Sequence, residues 1–364
     1  MSQQHSIPDG QQDAVAVAEA FGSTDNPWHD PPLARTTASP RPAPGPGHGR
    51  AAAAPQGAAA SAADDLGQDG RWSIGNAGRA FTEVEPVLGQ AAEGPDTMAD
   101  GGTVGAVHLL AASVRGLSHR QNGGPRQDSY GFAVTQNGRW LIAVVADGVS
   151  AGRLSHRAAQ LVARHAPARV LEELEEVDHG VRVDWYRVFT WLATRIVTVG
   201  QKMLADEGTV NPTPKDVCDA MATTATIAVV EISPAPDQDR YMTYAWMGDS
   251  PIWRIDPANN WHCMTEVKNA GQEVAKSSVH ALPRLPDDPA KLPQGCGSIP
   301  GDARLLLMSD GVGDPLGPAD GEVAEALAQA WRTPPSVFRF AEQVAFGRKS
   351  YDDDRTVVAI WPRT

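Results

Sequence analysis

The sequence predicts an α+β domain built in layers rather than a doubly wound sheet. Two observations carry that expectation: runs of strands follow one another through hairpin-like connections, and helical patterns come in pairs. A third concerns chemistry, because apolar strands end repeatedly on an aspartate.

The chain divides unequally. Residues 1–104 are rich in Ala, Pro and Gly and are expected to be largely disordered, with order beginning near Gly105 and the domain filling 105–364. From Ala38 to Ala63 there is no Val, Ile, Leu, Met or aromatic residue, so nothing there can offset the entropy of ordering. Its prolines favour extended backbone, which suits a spacer better than a dedicated docking segment. Patches containing Trp28 and "RWSIGNAGRAFTEVEPVLG" are candidates for local structure or partner binding.

From there the elements follow in order. "AVHLLAASVRG" (106–116), "SYGFAVTQ" and "RWLIAVVAD" are strand candidates, the last apolar on both faces. Leu154, Ala158, Leu161, Val162, Val170, Leu171 and Leu174 recur at helical spacing, and "WYRVFTWLATRIVTVGQKML" predicts a second helix. The β-branched "MATTATIAVVEI" returns to strand. "RYMTYAWMGDSPIWRID" predicts two strands joined at Gly248-Asp249-Ser250. Residues 265–301 are expected to be a long irregular segment that shapes access to a site. "ARLLLMSDG" is strand, "GEVAEALAQAWRT" and "PPSVFRFAEQVAFGRK" are helices, and "RTVVAIW" closes the chain as a strand.

Composition excludes several classes. With 41% hydrophobic residues the chain has material for a core, and a formal charge of −13 argues against nucleic acid or an anionic membrane as partner. Cys218, Cys263 and Cys296 match no zinc spacing and are expected to be reduced. The polar start "MSQQHSIPDG" lacks a signal-peptide pattern, and no apolar run reaches the roughly 18 residues of a membrane span. A cytoplasmic monomer is the expectation.

Asp147 ends "LIAVVAD", Asp249 ends "YAWMGD", Asp310 ends "LLLMSD", and Asp352, Asp353 and Asp354 precede "RTVVAIW". Singly, each is ordinary turn chemistry. Gathered at paired strand ends, they would raise one another's pKa and be costly without compensation. A hard divalent cation removes that cost, and an oxygen-only donor set selects magnesium or manganese over zinc.

Taken in order, "SHRQNGGPRQDSYG", "VVADGVSAG", "TTATIAVV", "WMGDSPIW", "LLLMSDGV" and "DDDRTVVAI" resemble the motifs of the metal-dependent PP2C-type (PPM-type) serine/threonine protein phosphatases. The resemblance spans about 106–361 and is nearer to compact bacterial members than to eukaryotic ones. It implies an α-β-β-α sandwich: two antiparallel sheets packed face to face and flanked by helix pairs. It implies two Mn2+ or Mg2+ ions, with a third possible, and water activated by them attacking phosphorus in line. Asp147 would bridge the ions, the Gly148 carbonyl would join the second, and Asp310 and Asp353 would complete the primary set. Asp128 would act near the second ion through water, and Asp249 at the third. Arg120 is the first choice for the phosphate and Arg126 the second, since a guanidinium fork pairs two oxygens. The implied partners are a phosphorylated protein substrate and a Ser/Thr kinase whose action is reversed.

The departures are specific. Val149 stands where eukaryotic members have a histidine after Asp-Gly, Pro251 replaces the arginine of a GDSR turn, Arg126 replaces an asparagine, and Asp354 takes a usual asparagine position. His119 is expected to be a satisfied core or loop histidine, and His156 to sit on the following helix. The alternative function is a catalytically weak phosphatase-fold module that binds and regulates a phosphorylated partner or kinase. A phosphohydrolase with an aspartate nucleophile lacks its DxD run and following lysine.

Overall fold

The computed structural model describes residues 72–78, 94–177, 180–234, 238–265 and 281–363. The Ala38–Ala63 stretch, the Trp28 patch, most of the second patch and the first part of the 265–301 segment lie outside the described residues.

Two antiparallel sheets form the body. One has six strands in the order β1 (Thr97–Val104), β2 (Val107–Val114), β13 (Arg355–Pro362), β12 (Arg304–Met308), β9 (Ile252–Ile255) and β10 (Trp261–Cys263). The other has five, in the order β11 (Gln294–Ile299), β8 (Arg240–Met247), β7 (Ala225–Glu231), β4 (Trp140–Ala146) and β3 (Ser129–Val134). β4 and β7 are buried almost end to end, as a strand covered on both faces must be, which is why their sequences run apolar without alternation. Between the sheets, Leu141, Ala143 and Val145 of β4 meet Leu305, Leu307, Val358 and Ile360 of the facing sheet in one core layer.

Helices cover the outer faces. α2 (Ser155–Glu173) and α3 (Trp185–Asp206) bury Val162, Val170, Phe189, Leu192 and Ile196 against the five-stranded sheet, together with the short α4 (Pro214–Ala220). α2 lies so close to β3 that a Cβ on Gly131 would fall 1.9 Å from the Ala163 carbonyl oxygen. α6 (Glu322–Ala330) and α7 (Val337–Val344) pack Leu327, Trp331, Phe340 and Val344 on the six-stranded sheet. The remaining elements are the short helices α1 (Leu117–Asn122) and α5 (Asp310–Leu316) and a small hairpin of β5 (Leu174–Val177) and β6 (Gly180–Val183). The sandwich flanked by helix pairs is therefore the predicted fold class.

The two strands expected on either side of Gly248–Ser250 are β8 and β9, and that turn carries the chain from one sheet to the other. Two differences from the sequence expectation are informative. The 265–301 segment is not structureless in its second half, since β11 adds an edge strand beside β8. The domain also has a strand before residue 105, because β1 pairs with β2, and Trp72 packs edge-on to Phe346 at 6.3 Å. Among the described residues no helix is long and apolar enough to cross a membrane.

Candidate metal centre

β4 hands its last residue to a turn held by threonine hydroxyls. The Asp147 N–H donates to Thr224 Oγ1 at 3.0 Å, and Thr223 Oγ1 donates back to the Asp147 carbonyl at 2.9 Å. Thr224 Oγ1 shares a further hydrogen bond of 2.9 Å with Ser250 Oγ, and Thr226 Oγ1 donates to the Ser250 carbonyl at 2.6 Å. The start of β7 thus couples the Asp147 turn to the turn containing Asp249. The three threonine hydroxyls belong to the "TTAT" run, whose positioning role sequence reasoning missed.

The opposite wall comes from the six-stranded sheet. Ser309 and Thr356 exchange hydrogen bonds between the end of β12 and the start of β13, so Asp310 and the Asp352–Asp354 run emerge side by side. Two glycines allow the close approach. A Cβ on Gly311 would lie 1.9 Å from the Asp354 carbonyl oxygen, and one on Gly116 would lie 2.3 Å from the Asp353 carbonyl carbon. Buried Arg355 clamps the run by donating to the carbonyls of Gly311, Tyr351 and Phe346, and burial pushes its pKa down to about 10.

Asp354 fastens a third segment. Its carboxylate accepts the backbone N–H of Gly116 at 2.6 Å and that of Gln127, bringing the loop that carries Asp128 against β13. Arg126, the second phosphate candidate, is buried. It donates to the carbonyls of Asp128 (3.0 Å), Pro95 (3.1 Å) and Ser113 (3.2 Å), with Met98 Sδ at 2.7 Å. With its fork committed to the backbone, Arg126 holds the Asp128 loop in place rather than facing a substrate.

The structure brings Asp128, Asp147, Asp310 and Asp353 within electrostatic reach of one another. Part of Asp147 reaches solvent, yet burial and then the charges of Asp128, Asp310 and Asp353 raise its pKa well above the carboxylate range. Burial and the Asp354 charge push Asp128 up to about 7. Ser309, Asp147 and Thr356 nearby oppose that rise, although Thr356 Oγ1 is already donating to Ser113 Oγ at 2.6 Å. Asp353 is raised by burial and by Asp354 and Asp352.

Asp128 is the sharpest observation. It is 1% exposed, and both its carboxylate oxygens are buried without a hydrogen-bond partner. A buried carboxylate orphaned among other carboxylates fits a divalent cation, since the donor set is hard and anionic; among the described residues the ligand atoms that lie within 4.8 Å of one another are those of His119, Asp353 and Asp354. The residues present therefore fit the metal centre expected from the sequence. Gly148 is buried at the same turn, bridged to Thr223, and Asp249 follows Gly248 one residue from the Ser250 relay.

Arg120, on α1, pairs both carboxylate oxygens of Asp96 at 3.2 and 2.8 Å, and Arg115 reaches the same carboxylate at 2.7 Å. Arg120 and Arg115 line a cavity of about 340 Å³ together with Asp352, Asp353 and Tyr351. His119 is neither remote nor a plain loop residue: its Nδ1 lies 3.0 Å from Asp354 Oδ1. Burial disfavours its charged form, but Asp354, Asp353 and Asp128 outweigh that and raise its pKa. Its place on α1, just before the Gln-Asp pair, was the signal available in the sequence. Val149 sits in the loop with its N–H on the Ala222 carbonyl at 2.9 Å and brings no proton donor, and His156 is buried on α2.

A family model described as protein phosphatase 2C matches residues 115–344. A search of curated protein sequences finds no match. Among solved structures the chain is similar to RsbX in complex with magnesium, at 14% identity and TM-score 0.44 over 73% of this chain and 100% of that one. It is similar to the S. agalactiae serine/threonine phosphatase, at 18% identity and TM-score 0.45 over 70% and 99% of the two chains. It is also similar to the catalytic domain of serine threonine protein phosphatase PstP in complex with 2 manganese ions, at 18% and 0.44 over 70% and 97%.

Proposed function

The chain belongs to the protein phosphatase 2C family and is a protein serine/threonine phosphatase; from that premise we propose that it hydrolyses phosphoserine and phosphothreonine at a binuclear Mn2+ or Mg2+ centre. The orphaned Asp128 carboxylate amid Asp147, Asp310 and Asp353 carries this reading. Asp147, the Gly148 carbonyl, Asp310 and Asp353 would hold the two ions, Asp128 would act beside them, and Asp249 would serve a third. When bound, such ions supply Lewis-acid charge and lower the pKa of water toward neutrality.

The rest falls to the chain's own groups. Arg120 presents a planar fork at the cavity shared with Asp353, so it is our choice to orient the phosphate. Its present partner, Asp96, is an exposed carboxylate that a dianionic phosphate can displace. The Thr223–Thr224–Ser250 hydroxyls keep Asp147 aimed without carrying charge themselves, and Arg126 and Asp354 do the same for the Asp128 loop. Val149 brings no proton donor for the leaving oxygen.

We also place the chain in bacterial signalling opposite a Ser/Thr kinase, in the cytoplasm and as a monomer, with the Ala38–Ala63 stretch as a spacer; composition and family support these points. The test is direct. Purified protein with manganese should turn over a phosphothreonine peptide and para-nitrophenyl phosphate, and lose that activity with a chelator and in Asp147→Ala. Absence of turnover with any divalent ion refutes the proposal.

A further inference from the structure

Beyond the oxygen donors, one nitrogen stands at the same place. The ligand atoms of His119, Asp353 and Asp354 all lie within 4.8 Å of one another. His119 Nδ1 is buried, and although Asp354 Oδ1 is 3.0 Å away, the two are not aligned as a hydrogen bond. A separation near 3 Å without hydrogen-bond alignment is that of two neighbouring ligands on one ion with bonds of about 2.1 Å. Asp354 is anchored for such a role, since its oxygens already accept the N–H groups of Gly116 and Gln127. Gly124 passes beside the ring, where a Cβ would meet His119 Cδ2 at 3.4 Å.

The second, independent observation is Asp128. Its orphaned oxygens are 1% exposed and act on the same imidazole, so the pocket beside His119 holds an uncompensated anion as well as an unaligned donor.

We infer that His119 is a ligand of this chain's metal centre, giving it a mixed nitrogen and oxygen donor set at Asp353 that prefers a first-row transition ion to magnesium. This rests on the metal-dependent reading above. Imidazole adds affinity along the series from manganese to copper and zinc, whereas magnesium gives up its waters reluctantly and favours oxygen. Because even partners outside the ligand set typically change metal affinity about 10–100-fold, losing a direct nitrogen ligand should cost manganese at least tenfold. Magnesium affinity should change much less.

The experiment uses the full chain and Mn2+ as its own probe. Pulsed electron paramagnetic resonance of the Mn2+ complex should show modulation from a directly bound nitrogen, and His119→Gln should abolish it. Competition titration should show the manganese-to-magnesium preference falling about tenfold in the same variant. If Mn2+ binds without nitrogen modulation, or if the modulation persists in His119→Gln, His119 is a positioning residue and the inference fails while the metal centre stands. If Mn2+ does not bind at all, both readings fall. The wild-type spectrum decides even if the variant does not fold.

Discussion

The metal-free protein should become less stable as pH rises from 5 to 8, the reverse of what salt-bridged carboxylates produce. Asp128 is the lever. Its folded-state pKa is pushed from 3.8 up to about 7, so in that interval the folded chain holds a proton that the unfolded chain has released. Stability then falls with pH, because the slope follows protons bound unfolded minus protons bound folded. One carboxyl moved that far is worth about 4 kcal/mol once fully ionised, near pH 8 and above. Asp147 is raised too, by burial and the same neighbours, and pushes in the same direction. Urea titrations in chelator at pH 5, 6, 7 and 8 read the effect as a falling midpoint. Asp128→Asn keeps the volume, removes the charge and should flatten much of the slope, while saturating Mn2+ should offset the loss for the unsubstituted chain. A metal-free midpoint that stays level or rises between pH 5 and 8 refutes the electrostatic account of the site.

Other expectations separate the two arginines and test the packing. Arg120→Lys should raise KM for a phosphothreonine peptide with little change in the urea midpoint. Arg126→Ala should instead lower stability by about 3 kcal/mol or more, since three carbonyls lose a charged donor. Asp96→Ala should free Arg115 and Arg120 and lower KM several-fold, at a stability cost within about 1 kcal/mol for so exposed a partner; an unchanged KM would mean phosphate does not compete for Arg120. Gly311→Ala places a Cβ 1.9 Å from the Asp354 carbonyl oxygen, so both Mn2+ affinity by titration calorimetry and the melting temperature should drop.

Much of the frame was legible because burial writes itself into sequence. Seven apolar residues ending at Asp147 read as a covered strand, and the same logic placed Asp310 and the Asp352–Asp354 run at strand ends, with Asp353 singled out by the family resemblance. The edges were not legible. β1, "TMADGGTV", and β11, "QGCGSI", have no consistent apolar alternation, and backbone pairing with β2 and β8 makes them strands. α4 went unread in the sequence, although it opens on a Thr213–Asp216 capping box that the hydrophobic pattern alone does not register. Within the site, the strand-end carboxylates were legible, whereas their support was not. The roles of Thr224, Asp354 and Arg126 depend on contacts such as that between Asp354 and Gln127 N–H, 227 residues apart in the chain.

Pro251 shows how a departure can be absorbed by packing. Where a paired arginine would brace the turn after Asp249, Pro251 is buried, and a Cβ on Gly313 of α5 would already lie 3.0 Å from its ring. Its carbonyl accepts the Met308 N–H at 3.1 Å, so the turn leaving β8 rests on the end of β12, two residues before Asp310. Proline has no N–H to give a neighbouring strand, which helps explain why the chain crosses between sheets there instead of closing a hairpin. Ser250, held by Thr224 and Thr226, fixes the other side of the same crossing. The GDSP turn therefore joins the wall that presents Asp147 to the wall that presents Asp310, replacing a charged brace with a packed one. On this account Pro251→Arg would not restore a missing support; it would force a long cation into a filled space and separate the two walls.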